Sequence, residues 1–116
     1  MEKKDLTLKD LQKKATKFRD NRDWNQFHNP KDLAISLSLE AAELLENFQW
    51  KSSDEAVKEN IENIKDELAD VVIYSLLMAD QLDVDLSEAI VRKIKKNEEK
   101  YPVEKAKGSN RKYTEL

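Results

Sequence analysis

Two short acidic motifs carry the strongest chemical signal in this sequence. One reads Leu39-Glu40-Ala41-Ala42-Glu43-Leu44-Leu45, the other Asp66-Glu67-Leu68-Ala69-Asp70-Val71-Val72. Each sets two carboxylates three residues apart, and at about 3.6 residues per helical turn that spacing stacks both on one face. Glu40 with Glu43, and Glu67 with Asp70, therefore project as two claws from otherwise apolar stretches. Asp and Glu are seldom buried without a partner, because a desolvated charge is costly. If the two helices face each other, these acids need a counter-cation. One such pair in a chain with 24 Asp and Glu would read as a solvated face; two pairs on consecutive helices, both in apolar surroundings, point to a divalent metal. Glu46, followed by the polar Asn47, and Asp66, at the end of a polar run, read as outer or surface residues.

The ligand types narrow the metal. Carboxylates without imidazole or thiolate suit magnesium or manganese; a di-iron bundle would use Glu-x-x-His pairs, and a structural zinc would want Cys or His. The chain has no Cys and one His. Magnesium held by few protein ligands keeps open positions, which substrate phosphates usually fill. The expected ligand is a nucleotide or another polyphosphate.

Four helices must position these groups. Thr7 with Asp10 resembles a capping box, and Leu8, Leu11, Ala15 and Phe18 then recur at helical spacing, so a first helix should run to about Arg22. A loop from Asp23 to Asn29 carries Trp24, Phe27 and His28. Asn29 and Pro30 supply the cap and first position of a second helix reaching about Trp50. Ser53 is the expected cap of a long third helix ending near Leu82. Asp85 with Glu88 opens a fourth, with Leu86, Ile90, Ile94 and Tyr101 on its apolar side, until Pro102 stops it. The tail from 103 to 116 is charged and aperiodic and reads as mobile. The fold class expected is all-α, a four-helix bundle-type subunit forming one domain over residues 1–116.

Composition agrees. In 116 residues, 39% hydrophobic and 39% charged residues are what short amphipathic helices give, and one Gly with two Pro leave little turn chemistry for a sheet. The absence of Cys removes any disulfide framework and any Cys nucleophile, and suits a cytoplasmic protein. The polar N-terminus lacks a signal-peptide core, and no apolar run approaches a membrane span. The net charge of -3 argues against a partner that is a nucleic-acid polymer. The middle of the third helix, Val71-Val72-Ile73 and Leu76-Leu77-Met78, is apolar around most of its circumference, which predicts association with a second copy.

The string Arg22-Asp23-Trp24-Asn25-Gln26-Phe27-His28-Asn29-Pro30, with the two acidic motifs, Phe48-Gln49-Trp50-Lys51 and the tail Ser109-Asn110-Arg111-Lys112-Tyr113-Thr114-Glu115, resembles the MazG-like all-α nucleoside triphosphate pyrophosphatases, and within them the dCTP pyrophosphatase branch. The acidic motifs mark the superfamily; the tryptophan loop and the two later segments are more specific. The resemblance implies that Glu40, Glu43, Glu67 and Asp70 hold magnesium, and that Trp24, Trp50 and His28 line the base pocket. It also implies that Tyr74, Lys93 and Asn97 contact phosphates or sugar. Lys93, Asn97 and Tyr101 share one helical face, as that role requires. Arg111 and Lys112 match a tail that closes over phosphates. Two departures stand out: Leu39 occupies a place where relatives often have a small residue, and the first helix has no histidine.

The expected reaction is hydrolysis of a free pyrimidine deoxynucleoside triphosphate, dCTP or a modified dCTP, to monophosphate and pyrophosphate by a homodimer or homotetramer that clears unwanted nucleotides. A related enzyme acting on dUTP or another nucleotide, or a non-catalytic helical oligomer that binds nucleotide, are the rival readings. Taken singly, Trp24, Trp50 and His28 would read as packing residues, and Lys93 as part of a solvated face.

Overall fold

The computed structural model describes residues 5–116, and every regular element among them is helical. They form α1 (Leu8–Asn21), α2 (Pro30–Glu46), α3 (Ser53–Gln81), α4 (Leu86–Lys100) and the short α5 (Val103–Ala106), with single 3-10 turns at Asn25–Phe27 and Tyr113–Glu115. No described helix is long and apolar enough to cross a membrane. The chain divides into two compact units, one ending at Val84 and the other spanning Asp85 to Leu116.

In the first unit the caps are the local cause of the helix starts. Thr7 and Asp10 form a reciprocal capping box, and the Asn29 side chain accepts the Asp32 amide with Pro30 at the first helical position. The third helix is capped by Ser52, not Ser53, with its side chain accepting the Glu55 amide. The second helix also departs from expectation. It ends at Glu46, and residues 47–50 form turns, with Trp50 in the left-handed region at φ 62°. The cause lies in α3: the Asn60 side chain donates to the Asn47 carbonyl at 2.8 Å, and Asn63 donates to the Asn47 side-chain oxygen at 2.7 Å. Asn60 itself leaves helical geometry and kinks α3. These bonds use the Asn47 carbonyl that a longer α2 would need, and they set α2 and α3 as an antiparallel hairpin. Asn47, although polar, is only 7% exposed.

Helix α3 is the spine of this unit, with α2 and α1 packed on it. Leu33 of α2 and Ala56, Leu76, Leu77 and Ala79 of α3 are its buried apolar residues. On the α1 side the Gln12 side chain donates to the Leu76 carbonyl at 3.0 Å, and Arg19, buried, bridges Asp20 and Asp80 at 2.8 Å each. The guanidinium is held well charged by the Asp20 carboxylate first and by Asp80 after it, against the opposing effect of burial.

The second unit consists of α4, α5 and the tail. Asp85 caps α4 by accepting the Glu88 amide, and the helix runs to Lys100 before Pro102. The tail carries more order than its composition suggests. After α5, Gly108 at φ 76° turns the chain, and the 3-10 turn brings the Tyr113 ring edge-on to Tyr101, with centroids 6.1 Å apart. Lys100 Nζ lies 4.9 Å from the same ring centroid.

Candidate active site

The α2–α3 hairpin brings the two acidic claws together. Glu40, Glu67 and Asp70 each offer a carboxylate oxygen, and these lie within 4.8 Å of one another. Glu40 Oε2 and Glu67 Oε2 are buried and have no hydrogen-bond partner. The Glu40 acid is pushed up to about 7, first by withdrawal from water, then by the Glu43 carboxylate and by Glu67 and Asp70. Glu67 is raised as well, by burial and by Glu43 and Asp70. Glu43 is exposed, yet it stands near enough to raise both buried acids. Glu46 and Asp66 are exposed, as their neighbours in the sequence suggest.

A cluster of this kind, with orphaned buried oxygens and no cation among its partners, fits a hard divalent ion. Glu40, Glu67 and Asp70 would hold it, with Glu43 alongside. An ion there would lower both raised acids by replacing mutual repulsion with attraction.

One turn beyond Asp70, Tyr74 is pushed up by burial and by Glu40, Asp70 and Glu43, so its hydroxyl stays protonated and available as a donor. Asp70 and Tyr74 also form part of the wall of a cavity of about 560 Å³ between α1, α3 and the tryptophan loop. A cavity of that size suits a nucleoside. Trp24 and His28 line it, together with Phe18 and apolar residues of α1 and α3. Trp24 meets Phe18 edge-on at 5.7 Å, and Arg22 sits 3.7 Å above the Phe18 ring. The loop is fixed at its start: the Trp24 amide donates to the Arg19 carbonyl at 3.1 Å, and Gln81 donates to the Asn25 side chain at 2.6 Å. His28 is lowered by burial and then by Arg19, which keeps the ring neutral near pH 7, and its Nδ1 is buried without a partner.

Trp50 is not among the residues lining that cavity. It is 99% exposed, at the tip of the α2–α3 connection. Its neighbour Lys51 is tied to Glu59 at 2.6 Å, which anchors the turn.

The other residues singled out in the sequence lie in the second unit. Lys93 lines a cleft of about 640 Å³ together with Lys96, Lys100, Lys105 and Tyr113. Tyr101 packs against Tyr113, while Asn97, Arg111 and Lys112 are exposed.

Sequence reasoning missed two groups. The Asn47–Asn60–Asn63 knot fixes the hairpin on which all four acids sit, and three asparagines near one helix junction were its only trace. Lys14 lines the cavity from α1, a position that its charged neighbours make look like ordinary helix surface.

Comparison with known proteins gives one consistent result. The model of the MazG-like family matches residues 35–116. Mouse dCTP pyrophosphatase 1 is 40% identical over 116 residues, covering 95% of this chain and 68% of the mouse protein. The human protein of the same name is 39% identical over 115 residues, with the same coverage. The crystal structure of a pyrophosphatase from Archaeoglobus fulgidus superposes with a TM-score of 0.77 at 42% identity, covering 88% of this chain and 98% of that one. With the acidic hairpin and the adjoining aromatic cavity, these matches establish that the chain belongs to the MazG-like family.

Proposed function

We propose that this chain, a nucleoside triphosphate pyrophosphatase, acts on a free pyrimidine deoxynucleotide, dCTP or a modified dCTP, and needs magnesium to do so. The observation that carries the reading is the double position of Asp70, which belongs both to the carboxylate cluster and to the wall of the aromatic cavity. A nucleotide with its base in the cavity has its phosphates within reach of the cluster. The enzyme class follows from family membership and from 40% identity to a protein named dCTP pyrophosphatase 1.

A magnesium ion, with manganese as a substitute, would polarise phosphoryl oxygens and balance charge on the leaving group. Glu40, Glu67 and Asp70, with Glu43 alongside, would hold it, and a carboxylate of the cluster orients the attacking water. As a carboxylate of the cluster takes its proton, the water oxygen attacks the α-phosphorus, the bond from that phosphorus to the α–β bridging oxygen breaks, and monophosphate and pyrophosphate leave. Tyr74 donates its hydroxyl beside the acids. Trp24 stacks on the base beside neutral His28, and Trp50, which lies outside the cavity of its own chain, is assigned to the base of a nucleotide held by a second copy. On the family resemblance alone we also assign Lys93, Arg111 and Lys112 to balancing phosphate charge, and Asn97 and Tyr101 to hydrogen bonding with phosphate or sugar.

The working form is at least a homodimer, and a tetramer is compatible with it. Ile61 and Leu68 of α3, which do not line the cavity, are 39% and 52% exposed in the single chain, an apolar surface that a second copy would cover. The role that fits is clearing unwanted nucleotides from the cytoplasmic pool. Incubation with a panel of nucleoside triphosphates and magnesium, followed by separation of products, tests the reading. Monophosphate and pyrophosphate formed fastest from dCTP support it; no cleavage of any triphosphate removes it, and a faster reaction with dUTP moves the assignment to that base.

A further inference from the structure

We propose that Arg19 is a positioning residue for the base: through its ion pair with Asp80 it fixes the loop that presents Trp24 at a set place along α3, the helix that carries Glu67 and Asp70. The inference rests on the proposed function above and concerns what aligns the two halves of that site.

The loop needs such a fixture. Trp24 is 45% exposed, and Phe18, which its ring meets edge-on at 5.7 Å, is half exposed too, so no core holds the indole in place. The residue before it, Asp23, lies in the left-handed region at φ 54°, a conformation that a residue other than glycine keeps only where neighbouring contacts enforce it. Those contacts converge on the last turn of α1. The Trp24 amide donates to the Arg19 carbonyl at 3.1 Å, and the Asp23 amide donates to the Asp20 carbonyl at 3.0 Å. The indole therefore goes where residues 19 and 20 go.

The side chain of Arg19 fixes that turn. It is buried in the cavity wall, so its charge has left water and depends on its two carboxylates. Asp20 is its neighbour on α1 and ties it to no other element. Asp80 belongs to α3, and its 2.8 Å bond to the guanidinium is a cross-link between helices. Gln81, the next residue of α3, donates at 2.6 Å to Asn25, on the far side of Trp24. The tryptophan is thus gripped from residues 19 and 25, and both bonds end on adjacent positions of α3. Asp70 and Asp80 lie on that one helix, about 15 Å apart along its axis at 1.5 Å per residue, and the kink at Asn60 falls outside the segment. The stacking ring and the carboxylate beside the phosphates are held to a single ruler. Misplacement of one against the other weakens substrate capture.

The test compares Arg19→Met, Asp80→Ala and their double variant with Asp20→Ala, which leaves the bridge from α1 to α3 in place. Gln12 still bonds to the Leu76 carbonyl across the same two helices in all of them, and circular dichroism checks the fold. We expect Arg19→Met and Asp80→Ala each to raise KM for dCTP by about tenfold with kcat changed much less, and the double variant to be no worse than either single one. Asp20→Ala should change KM by less than about twofold, and Arg19→Lys, which keeps a donor for Asp80, should recover part of the loss. Acrylamide quenching of Trp24, read without nucleotide in a Trp50→Phe background, should rise in Arg19→Met and Asp80→Ala but not in Asp20→Ala. Should Arg19→Met unfold, Arg19→Lys and Asp80→Ala carry the comparison. A lower melting temperature with unchanged KM and quenching would overturn the proposal and leave Arg19 a packing group. A double variant whose effects multiply would overturn it too, since the two side chains would then act separately. Failure of the wild-type protein to cleave any triphosphate removes the proposed function itself, and the quenching comparison then still decides whether Arg19 fixes Trp24.

Discussion

Glu40 on α2 and Glu67 on α3 meet across an antiparallel hairpin with carboxylate oxygens within 4.8 Å, and each retains a buried Oε2 that nothing in the described chain satisfies. Two acids so placed repel each other, so without a cation the site is held together by the rest of the hairpin. Replacing Glu40 by Gln should therefore raise the melting temperature of the metal-free protein by a few degrees while removing most of the stabilisation that magnesium gives. Glu43→Gln and Asp70→Asn should lower turnover at least a hundredfold, on the order expected for loss of a metal ligand, with an unchanged circular dichroism spectrum. Wild-type turnover in either variant would take that acid out of the reaction.

The same cluster sets a pH dependence with a definite sign. Glu40 is at about 7 in the folded chain against an ordinary 4.5, so between those values the folded state binds more protons than the unfolded one. Metal-free stability should then fall as pH rises through that window. Metal binding displaces the proton, so the gain in melting temperature on adding magnesium should grow over the same range. Thermal melts across the window with and without magnesium read both trends; a magnesium gain that shrinks as pH rises would contradict the assignment of Glu40 to the metal.

The hairpin depends on Asn47, whose carbonyl and side chain receive Asn60 and Asn63 at 2.8 and 2.7 Å. Asn47→Ala removes the buried acceptor that Asn63 uses, and the expected cost is about 1 to 3 kcal/mol. Because that corner sets the distance between the claws, magnesium affinity should weaken as well. Denaturant unfolding and magnesium titration measure the two effects; loss of stability with unchanged metal affinity would mean that the claws are positioned without the corner.

Much of this arrangement was legible in local chemistry. Thr7, Asn29 and Asp85 cap their helices where the side-chain pattern places them, and the i, i+3 spacing puts the acids of each pair on one helical face. What was hidden depends on contacts between elements. The sequence Leu44-Leu45-Glu46-Asn47-Phe48 continues a helical period, so only the tertiary bond from Asn60 reveals that α2 stops at Glu46. The tail gives no period at all, yet Tyr113 finds Tyr101 and Lys100 through ring contacts that no spacing rule anticipates.

Helix α3 supplies the case for self-association. A chain whose only buried apolar side chains are Leu33, Ala56, Leu76, Leu77 and Ala79 among the described residues has a small core, while Ile61 and Leu68 stay partly in water. Light scattering at micromolar concentration should give at least twice the monomer mass. Leu68→Glu, at a position outside the cavity wall, should shift that mass downward, and a wild-type monomer would show that α3 tolerates its exposure.

Trp50 poses the last question, because nothing among the described residues of its own chain rewards its conformation. It is 99% exposed and sits at φ 62°, where a residue other than glycine costs roughly 1 kcal/mol or more. Trp50→Gly should therefore stabilise the fold by up to about 1 kcal/mol, set against the added freedom of glycine in the unfolded chain. If the ring serves as a stacking partner for the base, both Trp50→Gly and Trp50→Ala should raise KM for dCTP by about tenfold to a hundredfold, since such stacking contributes roughly 1 to 3 kcal/mol. The proposed metal ligands Glu40, Glu43, Glu67 and Asp70 are unchanged in both variants, so kcat should fall much less, and the preference among dCTP, dTTP, dUTP and dATP should narrow. Steady-state kinetics on the four substrates separate the outcomes. Unchanged KM and preference, alongside a lower oligomer mass, would make Trp50 an interface residue whose strain is offset by a second copy.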